Sequence, residues 1–269
     1  MKHKLSFQEF EAAFDRLLQS YPKRAHSSVQ KDKSKYYEEL LFLNAALSNS
    51  DLDTNSLHIL DVGGGSGNLC VLIKQLLSCE VSMVDRLDEF ADEHERVMGN
   101  GQDVINRMRT ADINFLNIDP FIGNYYENQR FDVILNFDVI EHLPNGVPGF
   151  IEKMYALLKH QGVLIISTPN QVHVKNRFKS LLGQNTWEDF NYYVTTDCFF
   201  GHIRELTYKE FEFLLSKYLH YEVKGRTHQL NRYGQTFRRF GRLKSIFKYL
   251  IDRNPTLSYQ LFGIIRKCD

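Results

Sequence analysis

Three stretches of the chain hold residue types able to do chemistry. The first is Leu57-His58-Ile59-Leu60-Asp61-Val62-Gly63-Gly64-Gly65-Ser66-Gly67-Asn68-Leu69. Gly63, Gly65 and Gly67 let the backbone turn sharply and approach a ligand where any Cβ would clash. Asn68 stands where the last glycine of a dinucleotide fingerprint would be, which disfavours a nicotinamide dinucleotide. An acid ahead of the turn suits a ligand carrying an ammonium group better than a pyrophosphate. Asp85, 18 residues past Gly67, supplies a carboxylate able to accept both hydroxyls of a ribose. The second stretch runs from Phe131 to Pro144 and contains Asp138, Glu141 and His142. Their i, i+3, i+4 spacing predicts one helical face. His142 there suits a general base with Glu141 orienting its ring; the plainer alternative is a helix-start carboxylate and a hydrogen-bonded histidine. The third is Gly201-His202-Ile203-Arg204, where His202 and Arg204 suit an anionic or hydroxyl-bearing ligand. A loop histidine satisfied by backbone is its alternative.

The surrounding elements must hold these stretches at one end of a sheet. Residues 57–62 form a short apolar run bounded by glycine, which predicts a buried strand. Leu69, Leu72, Ile73, Leu76 and Leu77 then recur on one helical face. Further strands are expected at 81–84, 103–109, 131–136 and 162–167, and a last one near 220–226. Helices are expected at 5–19, 35–48, 88–98, 148–159 and 208–219, the last opening on the capping box Thr207-x-x-Glu210. Residues 23–34 are expected to be a polar connection. Strands alternating with helices predict an α/β, doubly wound, mostly parallel sheet, whose ligands sit at the carboxyl strand ends. Residues 185–200 break the alternation with an aromatic-rich insertion. Trp187, Phe190, Tyr192, Tyr193, Phe199 and Phe200 would cover a substrate pocket or form a small core of their own. His173 and Lys175 stand out only by lying close after Pro169-Asn170. The expected organisation is N-terminal helices over 1–50, a ligand-binding domain over 51–226, and a basic helical extension over 227–269 with no strand.

The glycine turn resembles motif I of the class I S-adenosylmethionine-dependent methyltransferases. The 131–144 stretch is similar to the segment after the fourth strand of small-molecule methyltransferases, including the ubiquinone-biosynthesis O-methyltransferases. The resemblance covers about residues 57–170. It implies S-adenosyl-L-methionine as cofactor in a Rossmann-like sheet, with Asp61, Gly63, Gly65 and Gly67 at the methionine moiety and Asp85 at the ribose. It also implies Leu87 on the adenine face, Asp112 at the adenine amino group, and Asn136 and Phe137 at the methionine end. By the same resemblance Asp138, Glu141 and His142 match positions that bind a divalent metal in some members, although Asp138 stands where those members have Glu. The His-x-Arg of 202–204 is similar to methyltransferases found with saccharide pathways. The implied reaction is O-methylation of a small-molecule, saccharide or lipid-linked acceptor. A non-catalytic cofactor-binding regulator and an RNA methyltransferase are the alternatives.

Composition narrows the field. Lys+Arg and Asp+Glu both number 33, so whole-protein charge argues against bulk binding of nucleic acid. Residues 224–269 hold eleven Lys/Arg and two acids, leaving the rest of the chain acidic. Within that tail, 236–250 places Phe237, Phe240, Leu243, Ile246, Phe247 and Leu250 at helical spacing among basic residues. That pattern suits peripheral contact with an anionic membrane; packing on the body or self-association is the alternative. Cys70, Cys79, Cys198 and Cys268 lack metal-site spacing and fit free thiols in a reducing cytoplasm. No apolar leader follows the basic Met1-Lys2-His3-Lys4, and a soluble cytoplasmic protein is expected.

Overall fold

The computed structural model describes residues 5–50, 52–53, 56–87, 101–187, 190–195, 201–226, 249, 251 and 253–268. Seven strands form one sheet: β1 (Leu57–Val62), β2 (Cys79–Asp85), β3 (Asn114–Asn117), β4 (Phe131–Phe137), β5 (Leu158–Pro169), β6 (Tyr221–Arg226) and β7 (Gln260–Arg266). Their order is β3-β2-β1-β4-β5-β7-β6. β1 pairs in parallel with β2 and β4, β2 in parallel with β3, and β6 antiparallel with β7. Strand order reverses between β1 and β4, the switch point at which doubly wound sheets bind ligands.

The chain divides into two compact units, one of Met1–Phe137, Lys153–Ile165 and Arg266–Asp269, the other of Asp138–Glu152 and Ile166–Ile265. In the first, the amphipathic helix Phe7–Gln19 starts on a Ser6/Glu9 capping box and buries Phe10, Ala13, Phe14 and Leu17. This helix packs against Asn68–Leu76, which follows the glycine turn. The helix supporting the turn is thereby itself covered.

Several expectations need correction. Residues 23–34 are not a plain connection: a 3-10 turn, Lys23–Ala25, and a short helix, His26–Lys31, occupy them. Residues 103–109 are not a strand but part of the helix Gly101–Thr110, which buries Val104, Arg107 and Met108 at i, i+3 and i+4. The strand lies later, at β3, whose short apolar centre is only Phe115-Leu116. The helix expected over 148–159 is Val147–Ala156, and β5 is already under way at Leu158. The helix expected over 208–219 is Tyr208–Leu215, with the Thr207/Glu210 capping box formed. The expected helix 88–98 lies outside the described residues.

The largest correction is at the C-terminus. Far from lacking a strand, 227–269 supplies β7, buried from Gln260 to Ile265 and placed between β5 and β6. Its run Leu261-Phe262-Gly263-Ile264-Ile265 is the signal for a strand buried on both faces. Gly263 lets the helix Tyr208–Leu215 pack close, since a Cβ there would meet the side-chain ends of Leu215 and Phe211. Among the described residues no helix is long and apolar enough to cross a membrane.

Candidate active site

In the first unit the glycine turn leaves β1 with Gly63, Gly65 and Gly67 at φ of 79°, 56° and 69°. This left-handed backbone is costly for any residue with a Cβ. Gly63 N–H donates to Val84 O at 2.8 Å, fastening the turn to β2. Gly65 N–H donates to Asp85 Oδ2 at 2.5 Å, and Arg86 N–H to Asp85 Oδ1 at 2.6 Å. A Cβ on Gly65 would meet nothing within 4 Å, whereas one on Gly67 would run into Met108. Gly67 is thus close-packed on that side, and Gly65 is open there.

Asp61 is buried, and its Oδ2 accepts from the Cys70 thiol at 3.2 Å. Burial pushes its carboxyl up to about 7; Asp85 adds to the rise, while the Cys70 thiol and Lys35 oppose it. Between roughly pH 4 and pH 7 the folded protein thus holds a proton that the unfolded chain has lost, so stability falls as pH rises through that window. Asp61→Asn removes this dependence. Relative to wild type it is expected to gain up to about 4 kcal/mol between pH 4 and pH 8, a ceiling set by that shift. Urea unfolding at both pH values checks this, and parallel curves for the two proteins would refute it.

At the switch point Asn136 is fully buried, with Nδ2 donating to Val62 O at 2.8 Å. That bond ties β4 to β1 and fixes the amide's orientation; Asn136 Oδ1 has no hydrogen-bond partner among the described residues. Phe137 follows at the end of β4 and is buried. Leu87 is buried, and its N–H donates to Asn117 Oδ1 at 2.9 Å. The structure corrects the placement of Asp112. It precedes β3, at the amino end of the strand, with its side chain 94% exposed and 3.1 Å from Lys74 Nζ. The carboxyl end of β3 is Asn117, in register with Asp85. Sequence reading missed Asn117 because the strand itself was misplaced.

In the second unit the three-residue helical face of Asp138, Glu141 and His142 does not form. Ile140–His142 is one 3-10 turn. Asp138 precedes it with φ of 55° and accepts through Oδ1 from Ser167 Oγ at 3.0 Å and from Gln260 Nε2. His202 takes the third place instead. Ligand atoms of Glu141, His142 and His202 all lie within 4.8 Å of one another. Glu141 is buried, with Oε2 accepting from Thr168 Oγ1 at 3.1 Å and Oε1 lying 3.9 Å from His202 Nε2. His202 Nδ1 is 2.7 Å from Glu205 Oε1, and His142 Nδ1 is 3.2 Å from Gly201 O. The two imidazoles meet edge-on with centroids 5.0 Å apart. Backbone brings the distant segments together: Ile203 and Arg204 N–H both donate to Glu141 O, at 2.8 and 3.0 Å. No sequence spacing announces a pairing across some sixty residues, and Glu205, Thr168 and Gln260 were missed with it.

The remaining sequence candidates stand apart from this cluster. Arg204 Nη2 pairs with Glu210 at 2.6 Å, so its guanidinium serves the helix cap. His173 is buried against Tyr259 and stands just before the helix Val174–Leu181 without a side-chain capping bond; burial holds it down to about 4, hence neutral, and Lys175 is exposed. Trp187 and Phe190 are 51% and 68% exposed, which removes them from any small core. The side chains of Tyr192 and Tyr193, and all of Phe199 and Phe200, lie outside the described residues. So does the apolar face of 236–250.

A doubly wound sheet with a left-handed glycine turn at its switch point defines the nucleotide-binding class of α/β proteins. Residues 10–218 match the family model described as a methyltransferase domain, and the chain belongs to that family. The ubiquinone biosynthesis O-methyltransferase of Rhodopseudomonas palustris (strain BisB5) is 27% identical over 117 residues, 44% of this chain and 42% of the relative. That of Pelagibacter ubique (strain HTCC1062) is 25% identical over 173 residues, 58% of this chain and 64% of the relative. The matched stretches thus span about half the length of these curated relatives. Among solved structures, the plantazolicin methyltransferase BpumL in complex with a triazolic desmethylPZN analog and SAH superposes with a TM-score of 0.51. It is 17% identical, over 97% of this chain and 99% of that one, a likeness of fold.

Proposed function

We propose that the chain is an S-adenosylmethionine-dependent O-methyltransferase acting on a small acceptor that carries a hydroxyl group. The observation that carries the reading is the glycine turn, whose left-handed Gly65 binds Asp85 and keeps a face on which a ligand can lie. Asp61, Gly63, Gly65 and Gly67 would hold the methionine end, with Asn136 Oδ1 accepting from its ammonium group and Phe137 beside it. An ammonium near Asp61 would pull that carboxyl back down and favour its ionised form. Asp85 would take the ribose hydroxyls, Leu87 the adenine face, and Asn117 replaces Asp112 as the polar group at the adenine edge.

The chain passes directly from Asn136 and Phe137 into the turn that carries Glu141 and His142. In the metal-free form of the reading, His142 or His202 takes the acceptor's hydroxyl proton. The oxygen then bonds the methyl carbon as the carbon–sulfur bond breaks, leaving S-adenosylhomocysteine, the methyl ether and one proton. Glu205 on Nδ1 of His202 would hold the ring so that Nε2 meets the proton.

A second form is favoured by one observation: a carboxylate and two imidazoles already converge. That donor set suits a divalent transition ion, and Glu205 behind His202 is the outer-shell carboxylate such ligands commonly have. Glu141, His142 and His202 would hold the ion, which supplies Lewis-acid lowering of a bound hydroxyl's pKa.

The test is transfer of labelled methyl from S-adenosylmethionine to a catechol, to a saccharide and to fractionated cell extract, with mass determination of the product. No labelled product from any source would end the enzymatic reading. A chelator then separates the two forms. With a metal, dialysis against EDTA is expected to remove activity and Mn2+ or Zn2+ to restore it; with a base alone, EDTA changes nothing. The acceptor's being lipid-linked remains part of the proposal, and so does peripheral membrane contact through 236–250.

A further inference from the structure

We infer that Gln260, at the start of β7, is a positioning residue for the Glu141/His142 turn, acting through Asp138. Gln260 is almost fully buried, and its Nε2 donates both to Asp138 Oδ1 and, at 3.0 Å, to Ser167 Oγ. Ser167 in turn donates its hydroxyl to the same Asp138 oxygen, and its carbonyl accepts Asp138 N–H at 3.2 Å. Four bonds therefore converge on one residue and the two side chains that hold it.

What they hold is a left-handed residue. Asp138 has a Cβ and yet stands at φ of 55°, a region that Asp enters more readily than most residues but still at a cost. It is the hinge at which the chain leaves β4 and enters the turn Ile140–His142. Rotating Asp138 back to an ordinary φ would swing the turn that delivers Glu141 and His142 to His202. Ser167 gives one hydroxyl proton and its carbonyl, while Gln260 supplies a second donor to the carboxylate and one to that hydroxyl. The C-terminal strand would then contribute to the reaction without touching a reactant.

The inference rests on the proposed role of the Glu141/His142/His202 cluster, and its test is chosen to stand apart from that role. Gln260→Leu removes both donors at similar volume. Imidazole 1H–15N shifts of His142 and His202, assigned with His142→Gln and His202→Gln, are expected to move in Gln260→Leu while S-adenosylhomocysteine affinity by calorimetry is unchanged. Transfer to 3,4-dihydroxybenzoate should fall in kcat by about 10- to 100-fold with little change in KM, as for a small misplacement of catalytic groups. Asp138→Ala, which removes the shared acceptor, should do the same, and the double variant should be no worse than the single ones.

Unmoved ring shifts in folded Gln260→Leu, or additive losses in the double variant, overturn the inference and leave Gln260 a structural residue. Should leucine prevent folding, Gln260→Asn, which draws the amide back by one methylene, takes its place. Moved ring shifts in that variant support the inference, and unmoved ones overturn it. A wild-type protein that methylates nothing sinks the functional reading, and the ring shifts still decide whether Gln260 positions the turn.

Discussion

Glu141→Gln is expected to cut methyl transfer by about 10²- to 10⁴-fold, the usual range for loss of acid–base assistance, with S-adenosylmethionine affinity held within about threefold. The substitution keeps the shape of a side chain that is fully buried, and the amide oxygen can still accept from Thr168 Oγ1. What it removes is an ionisable group beside His202 Nε2, 3.9 Å away. With a metal, the site loses an anionic ligand; with a base, it loses the charge that stabilises an imidazolium once the proton arrives. Both forms of the mechanism therefore predict collapse of kcat. A pocket that Glu141 merely shapes predicts turnover within about threefold of wild type, since volume and the Thr168 bond survive. Steady-state kinetics on the variant, with calorimetry for the cofactor and circular dichroism for the fold, decide between the two. His202→Gln should share the phenotype, because its Nε2 faces Glu141 Oε1.

Gly65→Val carries the second large effect, on cofactor binding. A Cβ at Gly65 touches nothing in the protein, so the branched side chain enters only the space above the turn. Affinity for S-adenosylhomocysteine is expected to fall at least about 100-fold, or roughly 2.7 kcal/mol. Valine at φ of 56° also strains the backbone, at about 1–2 kcal/mol of folding stability, and that cost must be separated from the loss of binding. Gly146 provides the control. It too has a left-handed φ, 76°, with nothing within 4 Å of its Cβ position, but it precedes the helix Val147–Ala156, away from the glycine turn in sequence. Gly146→Val should lose similar stability and no affinity. Equal affinity in both variants by calorimetry would remove the glycine turn from the binding site.

What the sequence determined by itself was the local part of the design. The acid, the three glycines and the apolar run after them sit between Asp61 and Leu77, and their conformation follows from φ preferences and helical period alone. β1, the glycine turn, Asp85 at the end of β2 and Asn136 at the end of β4 were therefore legible. So was the Thr207/Glu210 cap, which needs no partner beyond its own helix. The short β3 and the late β7 were not. β3 has a centre of two apolar residues, and 103–109, expected as the strand, instead places Val104, Arg107 and Met108 on the buried face of a helix. β7 follows a long basic stretch, and its apolar run gained meaning only when β5 and β6 flanked it.

Tertiary structure alone decided which groups share a site. Spacing offered Asp138 to the Glu141/His142 pair on a helix that does not form, because Asp138 takes a left-handed φ and turns its carboxylate to Ser167 and Gln260. His202 joined instead through two backbone hydrogen bonds to the carbonyl of Glu141. Asp112 was assigned to a strand end that belongs to Asn117. The physical reason is the same each time. Side-chain chemistry within one element is fixed by periodicity, but contacts between elements are fixed by where each strand starts, and one misplaced strand or one left-handed residue moves every group that follows it.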